Sequence, residues 1–253
     1  MDLGLKGLKA VVTGGTKGIG RAITHTLASE GAHIAFCARN ADEVAQTVKD
    51  FSGLGVKVHG RVADVADGAA LAAFVKEAAS ALGGLDIVVA NVSALAIPDE
   101  EANWQKSFDV DMMGTVRVVN AAMAWLEKSD HASIVTISSV SGREIDFASG
   151  PYGAFKAAIV HYTQGLAYHL AGKKIRANSV SPGNTYFKGG VWEQIEQGNP
   201  DLFKMAMGLN PTGRMGTPQE MANAAVFLAS PAASFITGTN LVVDGALTKG
   251  VQF

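Results

Sequence analysis

The stretch "KAVVTGGTKGIGRAI", residues 9–23, decides the fold of this chain of 253 residues. It opens with a short apolar run that is typical of a buried β-strand. Gly14, Gly18 and Gly20 follow, and a run with helical periodicity begins directly after them. Residues without a Cβ atom let backbone N–H groups and a helix N-terminus approach a diphosphate closely. This order of strand, glycine turn and helix predicts a dinucleotide site; the alternative is a tight strand–helix turn that needs glycines only for packing.

The rest of the chain repeats the alternation of strand and helix. Six more short apolar runs predict strands, at 33–38, 56–62, 85–91, 132–138, 175–181 and 239–245. Alanine-rich stretches with helical period lie between them, as in "AALAAFVKEAASALGG". Strands that are apolar on both faces belong in a parallel sheet covered by helices. We therefore expect a doubly wound α/β fold that forms one domain over residues 1–253.

One long region departs from this pattern. Residues 183–213 are rich in Gly, Asn and Pro, and they also carry aromatic residues and methionines. A long irregular loop in a compact domain is usually functional, so we predict a substrate-covering lid at about 184–213. Its apolar side chains suit an apolar ligand, or else form a helix face packed on this domain or on a partner subunit. These side chains are Tyr186, Phe187, Trp192, Phe203, Met205 and Met207.

Composition excludes several classes of function. A net charge of −2 gives no basic footprint for nucleic acid or for an anionic membrane surface. The sequence has no apolar run of about 18 residues and no signal-peptide pattern, so we expect a cytoplasmic protein without a membrane partner. The single cysteine, Cys37, falls in an apolar run and is expected to be a small buried side chain. The histidines lack the spacing of a zinc motif, so no metal site is expected.

The residues after the second strand indicate which dinucleotide is bound. An acid about 20 residues past the glycines usually binds the free ribose 2′-hydroxyl of NAD. Here the strand ends in "FCARN", where Arg39 can bind a 2′-phosphate and stack on adenine. Lys17 adds a second positive charge from the glycine turn, so we predict NADP(H); the alternative is that both are solvated surface cations. Asp64, after the third strand, is placed to accept a hydrogen bond from the adenine amino group, to cap the next helix, or both.

The segment "PYGAFKAA", residues 151–158, raises the question of catalysis. Tyr152 and Lys156 lie four residues apart, so one face of a helix presents both. The pKa of a free tyrosine is about 10, and a lysine ammonium one helical turn away favours the phenolate and lowers this pKa. Such a tyrosine can exchange a proton with a substrate oxygen near neutrality. Taken alone, such a pair is more often a lysine and a tyrosine on the surface of an amphipathic helix.

Taken together, the motifs resemble those of the short-chain dehydrogenase/reductases. The resemblance covers essentially the whole chain and rests on "TGGTKGIG", "SS" at 138–139, "YGAFK", "SPG" at 181–183 and "ITGTNLVVDGA". It implies a Rossmann-type three-layer sandwich with a seven-stranded parallel sheet and NAD(P)-dependent chemistry on carbonyls or alcohols. It also implies a homotetramer, with the C-terminal "VDGALTKGVQF" in a subunit contact.

The resemblance also assigns roles to individual residues. Tyr152 is the acid/base, Lys156 favours the phenolate and binds the nicotinamide ribose, and Ser139 holds the carbonyl oxygen and stabilises its developing charge. The expected cofactor-binding residues are Gly14, Thr16, Lys17, Gly18, Ile19, Gly20, Arg39, Asp64, Val65, Asn91, Tyr152, Lys156, Pro182, Gly183 and Thr185.

Asp111 is a departure from the family pattern, which usually has asparagine at this position. That asparagine helps to hold a water next to the lysine. Asp111 holds the same water, pairs directly with Lys156, or points elsewhere and leaves its place to water. A carboxylate beside Lys156 offsets part of the lysine charge, so we hypothesise a pH profile of activity shifted to the alkaline side.

Two further departures concern the walls of the pocket. The family commonly has N-x-A-G where this chain reads "NVSA" at 91–94, so Asn91 is kept while Ser93 and Ala94 reshape the wall. Phe187 stands where the family often has a threonine that binds the nicotinamide amide, and Thr185 is the nearest hydroxyl that can replace it.

The sequence therefore predicts an NADP(H)-dependent oxidoreductase. It interconverts a ketone and a secondary alcohol of medium size, largely apolar and cyclic or aryl, with reduction as the expected cellular direction. One alternative is a catalytically weak NADP(H)-binding sensor or scaffold of the same fold, which only Asp111 favours. A dehalogenase- or lyase-like member is another alternative, and the intact glycine turn argues against it.

Overall fold

A computed structural model describes residues 2–251 of the chain. Met1 and residues 252–253, which the domain and subunit-contact predictions include, lie outside the described residues. The strands are β1 Lys9–Thr13, β2 His33–Ala38, β3 Val58–Val62, β4 Ile87–Ala90, β5 Ser133–Ile137, β6 Arg176–Pro182 and β7 Asn240–Val243. The helices are α1 Gly18–Ser29, α2 Ala41–Phe51, α3 Gly68–Leu82, α4 Glu101–Ser107, α5 Met113–Leu126, α6 Pro151–Leu170, α7 Val191–Gly198, α8 Pro200–Leu209 and α9 Pro218–Ala229.

The seven strands form one parallel sheet in the order β3-β2-β1-β4-β5-β6-β7. Side chains of β1 alternate between its two faces, as the period of a strand requires. Ala10 and Val12 pack with α1, α2 and α9, whereas Val11 packs with α3, α5 and α6. The predicted doubly wound α/β fold with a seven-stranded parallel sheet is therefore confirmed. The chain changes direction across the sheet between β1 and β4, so the crevice for a ligand lies at the carboxyl ends of these strands.

The helix start after the third strand corrects one prediction. Asp67, and not Asp64, is the N-cap of α3, because its side chain accepts hydrogen bonds from the N–H groups of Ala69 and Ala70. Asp64 lies further from the helix and accepts from Ala66 N–H at 2.9 Å within the preceding turn. Its side chain is therefore free of the helix cap and lines the crevice.

The region at 184–213 also differs from the expected irregular loop, because α7 and α8 occupy most of it. Asn199 caps α8 through Leu202 N–H at 3.2 Å, and Pro200 takes the first helical position, where its missing N–H costs nothing. Trp192 and Phe203 form part of a small apolar cluster between the two helices. Part of the apolar character of this region therefore serves its own packing.

Residues 2–251 contain neither a candidate membrane-spanning helix nor a candidate cluster of metal-ligating side chains. No helix within residues 2–251 is long and apolar enough to cross a membrane. The same residues contain no group of three or more His, Cys, Asp or Glu side chains that could hold a metal ion.

Candidate active site

A cavity of about 640 Å³ opens at the carboxyl ends of the central strands. Every residue predicted to bind the cofactor lines it, and so do Ser139, Tyr152 and Lys156. Asp111 is the one predicted site residue outside the lining, because it lies buried behind Lys156. The volume falls in the range of small-molecule and cofactor sites, roughly 300–1,000 Å³. The structure thus brings the glycine turn and the Tyr–Lys pair to one cavity.

The glycine turn fits the diphosphate of a dinucleotide. A Cβ atom at Gly20 would overlap the carbonyl oxygen of Gly14, so the turn can close only with glycine there. Asn91 fixes the turn to the sheet, since its side-chain amide donates to Thr13 O at 3.0 Å. Within the described part of the chain, the N-cap residue of α1, Lys17, makes no side-chain capping bond, which leaves the first N–H groups of the helix to an anion in the cavity.

The predicted adenosine end of the cavity carries a residue that sequence reasoning missed. Glu43 Oε1 lies 2.6 Å from Lys17 Nζ, and its other oxygen accepts from Thr16 Oγ1 at 3.1 Å. The signal in the sequence is "NADE" at 40–43, because Asn40 caps α2 and so places Glu43 in the first helical turn. Arg39 is exposed beside this group and also lines the cavity. Lys17, which the sequence predicts as a second positive charge for the cofactor, is therefore paired with a carboxylate in this structure.

Two neighbouring serines follow β5 and make different contacts. Ser138 Oγ donates to the backbone oxygen of Lys156 at 2.7 Å, which fixes the helix against the end of the strand. Ser139 Oγ accepts from Ser141 N–H at 3.2 Å and lines the cavity. Gly142 lets the segment after β5 lie close against α6, since a Cβ atom there would lie 2.7 Å from Ala157 N in α6.

Lys156 is held at the centre of the site. Its Nζ donates to Ile137 O at 3.0 Å and lies 5.6 Å from the centre of the Tyr152 ring. The Lys156 side chain is only 2% exposed. Helix α6 presents Tyr152 and Lys156 to the cavity together, as their spacing predicts.

Asp111 makes direct contact with Lys156. The Oδ1–Nζ distance is 3.3 Å, and Oδ2 accepts from Ala94 N–H at 2.9 Å. Asp111 lies in a π-helical turn, Phe108–Met112, which interrupts the path from α4 to α5. Such turns widen a helix locally and are frequent at functional sites. Of the three positions considered for Asp111, the structure has the direct pair with Lys156.

The opposite wall of the cavity is apolar. Phe147 and Trp192 meet edge to face with ring centres 5.7 Å apart. Leu95 lines the wall in a left-handed backbone conformation, with φ at +49°. This conformation is strained for a leucine, and strained backbone of this kind clusters at binding sites. Trp192 and Ile195 bring α7 into the lining, so part of the region at 184–213 borders the site.

The two residues discussed for the nicotinamide amide lie near each other. Thr185 Oγ1 donates to Gly183 O at 3.0 Å, and Thr185 lines the cavity. The ring of Phe187 lies over the glycine turn, against Gly18. Cys37 borders the same cavity, and burial raises the pKa of its thiol to about 12, so it is a protonated, unreactive side chain.

Comparison with known proteins gives one family. A family model described as enoyl-(acyl carrier protein) reductase matches residues 14–248. Isoepoxydon dehydrogenase of Penicillium expansum is 41% identical over 260 aligned positions, which cover 100% of this chain and 99% of that protein.

Solved structures agree over the same extent. L-sorbose reductase of Gluconobacter frateurii, in complex with NADPH and L-sorbose, superposes with a TM-score of 0.90 at 28% identity, covering 99% of this chain and 100% of that one. A 7α-hydroxysteroid dehydrogenase with NADH and 7-oxo glycochenodeoxycholic acid gives 0.87 at 31% identity, covering 97% and 96%. Because one neighbour holds NADPH and the other NADH, the choice of cofactor must be argued from this chain's own residues.

Proposed function

The chain belongs to the short-chain dehydrogenase/reductase family and is an oxidoreductase of alcohol and ketone groups, and from that premise we propose an NADP(H)-dependent enzyme for a largely apolar ketone and its secondary alcohol. One observation carries the proposal: Tyr152, Lys156 and Ser139 line the same cavity as the glycine turn. A nucleotide in that cavity and a carbonyl compound against Tyr152 would meet at the predicted catalytic residues.

Each of these residues has a chemical task. The bound nicotinamide would supply or accept the hydride. Ser139 Oγ holds the substrate oxygen and stabilises its developing negative charge. Tyr152 delivers the proton to that oxygen during reduction and removes it during oxidation, while the ammonium of Lys156 favours the phenolate. Of the three N–H donors of Lys156, Ile137 O takes one and Asp111 faces another, which leaves a donor for the ribose hydroxyls.

Arg39 is the principal argument for NADP(H). Its guanidinium is exposed at the edge of the cavity, after β2, where NAD-binding folds usually carry an acid. Glu43 is an acid nearby, but Lys17 and Thr16 already bind its two oxygens. A 2′-phosphate would bind to Arg39 and attract Lys17 away from Glu43, since a dianion outcompetes a carboxylate for a flexible surface cation.

The substrate class follows from the apolar wall. Phe147 and Trp192 offer aromatic faces and edges to a ring of moderate size. We propose a cyclic or aryl ketone or alcohol, and the hydroxysteroid and isoepoxydon in the names of two relatives are consistent with this class. Helices α7 and α8 would cover the bound substrate.

Exposed aromatic residues support a homotetramer. Trp104 and Phe108 are 39% and 41% exposed and pack beside Phe155 of α6. An apolar surface of this kind is typical of a contact between identical subunits. We propose a cytoplasmic homotetramer, and light scattering that gives the mass of one chain would contradict it.

The activity test measures NADPH absorbance with a panel of cyclic and aryl ketones, and NADP⁺ reduction with the matching alcohols. We expect Tyr152→Phe to lower kcat/KM by about 10² to 10⁴, because the substrate oxygen loses its proton partner. Tyr168→Phe is the matched control, because Tyr168 lies on the same helix and is 80% exposed. The kcat/KM of this variant should stay within about twofold of wild type.

A second candidate is an NADP(H)-binding sensor or scaffold with weak catalysis. The compensated charge of Lys156 beside Asp111 is the observation that favours it. NADPH binding by calorimetry, without turnover on any compound of the panel, would favour the sensor over the enzyme.

A further inference from the structure

The charge of the central lysine is neutralised from behind the cavity. Lys156 and Asp111 each have side chains only 2% exposed, and their charged atoms are 3.3 Å apart. Within the described residues, Asp111 Oδ1 makes no hydrogen bond of its own, so the ammonium is its sole partner. Its other oxygen is occupied by Ala94 N–H, which fixes the carboxylate in place. Burial keeps water from screening this pair, so the carboxylate acts on the whole site.

The two forms of the cofactor differ in charge at the nicotinamide end, which would lie near Lys156 in the cavity. The oxidised nicotinamide ring is a cation, whereas the reduced ring is neutral. A lysine with no counter-charge repels the oxidised form, and a neutralised lysine does not. With asparagine in place of Asp111, the site would carry one more unit of positive charge.

We propose that Asp111 is a positioning residue that sets the preference between oxidised and reduced cofactor, so that the free protein takes up NADP⁺ more readily than an otherwise identical site with asparagine. The inference rests on the proposed function. A preference for NADP⁺ favours alcohol oxidation, because NADP⁺ is then the form that the free protein binds. The same preference makes NADP⁺ a strong product inhibitor of ketone reduction. This differs from the reductive direction expected from the sequence.

The charged and polar groups around the pair support this assignment. Helix α6 contributes Tyr152 and Lys156, the end of β5 contributes the Ile137 carbonyl, and the loop after β4 contributes Ala94 N–H. Lys106 of α4 borders the cavity as an exposed side chain. Asp111 is therefore the acidic group closest to the ammonium that faces the cofactor.

The test is the ratio of two dissociation constants, Kd for NADP⁺ over Kd for NADPH, measured by titration calorimetry at pH 8. Asp111→Asn should raise this ratio on the order of tenfold, because one negative charge is removed near the cationic ring. Asp109→Asn is the matched control: it removes the same charge in the same π-helical turn, at a side chain bonded to Gln105, and should leave the ratio within about twofold.

Lys156→Met provides an independent test. It removes the cation and keeps the carboxylate, so the ratio should fall below that of wild type even though both cofactor forms bind more weakly. If circular dichroism shows that Asp111→Asn does not fold, the double variant Asp111→Asn/Lys156→Met, which removes both charges of the buried pair, takes its place, and its ratio should be higher than that of Lys156→Met alone. A merely structural role of Asp111 would not move the ratio in opposite directions in the two variants.

The outcomes separate the inference from the proposed function. Tight binding of both forms, with a ratio that the folded variants leave unchanged, would overturn the role of Asp111 and leave the oxidoreductase intact. Failure of the wild-type protein to bind either form would overturn the proposed function itself.

Discussion

Two lysines at opposite ends of one cavity are each paired with a carboxylate, and the two pairs differ in their exposure to solvent. Lys17 pairs with Glu43 at 2.6 Å, and the two side chains are 66% and 27% exposed. Lys156 pairs with Asp111 at 3.3 Å, and both side chains are 2% exposed. The shorter distance therefore belongs to the pair that water screens, and the longer one to the pair that it does not.

Environment, and not distance, decides what each pair can do. An exposed ion pair contributes little to stability, about 0–1 kcal/mol, so Lys17 can leave Glu43 for a phosphate at small cost. A buried pair cannot lose one partner without leaving the other charge uncompensated. We therefore propose that Lys17 is an exchangeable contact for the nucleotide and that Lys156 is a fixed charge in the reaction site.

The largest expected effect breaks the buried pair. Asp111→Ala should lower the free energy of unfolding by about 3 kcal/mol, because it leaves the Lys156 ammonium without a counter-charge and Ala94 N–H without its acceptor. Urea denaturation measures it. Asp109→Ala serves as the control and should cost less than about 1 kcal/mol, since the Asp109 side chain accepts from Gln105 near the surface. Equal losses in the two variants would show that the buried pair contributes nothing special.

The next effect concerns the adenosine end. Arg39→Ala should raise the Kd for NADPH at least about tenfold, because a charge-assisted hydrogen bond of about 1.5–3 kcal/mol to the 2′-phosphate is lost. The Kd for NADH, which lacks this phosphate, should change by less than about threefold. Fluorescence titration of both cofactors measures this. Arg21→Ala is the control, since Arg21 pairs with Asp50 outside the cavity. Equal weakening of NADPH and NADH in Arg39→Ala would remove the argument for a 2′-phosphate site.

The smallest effect releases the exposed pair. Glu43→Gln frees Lys17, so the Kd for NADPH should fall by about threefold while the free energy of unfolding changes by less than about 1 kcal/mol. Glu77→Gln breaks another surface pair, with Arg61, outside the cavity and should leave the Kd unchanged. Weaker NADPH binding in Glu43→Gln would mean that Glu43 positions Lys17 for the cofactor and does not compete with it.

Most of the fold could be predicted from the sequence, because its signals are local and repeated. A central strand such as β4 is apolar on both faces, so the run at 85–91 predicted it and only the ends differ from Ile87–Ala90. The start of α1 follows from the glycine turn, where a Cβ atom at Gly20 would overlap the carbonyl oxygen of Gly14. Side chains four residues apart on α6 share a face, which is why Tyr152 and Lys156 were found together.

The remainder depends on contacts between segments that are distant in the sequence. Glu43 meets Lys17 only because α2 packs beside the glycine turn, and no spacing in the sequence encodes that distance. Asp111 was identified as a departure from the family, but its contact with Lys156 depends on a π-helical turn that has no sequence signature. The glycines and asparagines of the 184–213 region favoured a loop over the helices α7 and α8, although Asn199 and Pro200 form a helix start that could have been recognised.

The most direct test of the central claim follows the transferred hydrogen itself. NADPH carrying deuterium at C4 of the nicotinamide, tested as each of the two diastereomers, is incubated with the protein and the ketone that reacts fastest in the panel. We predict that mass spectrometry of the alcohol will show one added deuterium with one diastereomer, and that Tyr152→Phe will form this product at least about 100-fold more slowly. Alcohol without the label, or formation of the labelled alcohol by Tyr152→Phe at the wild-type rate, would contradict the account.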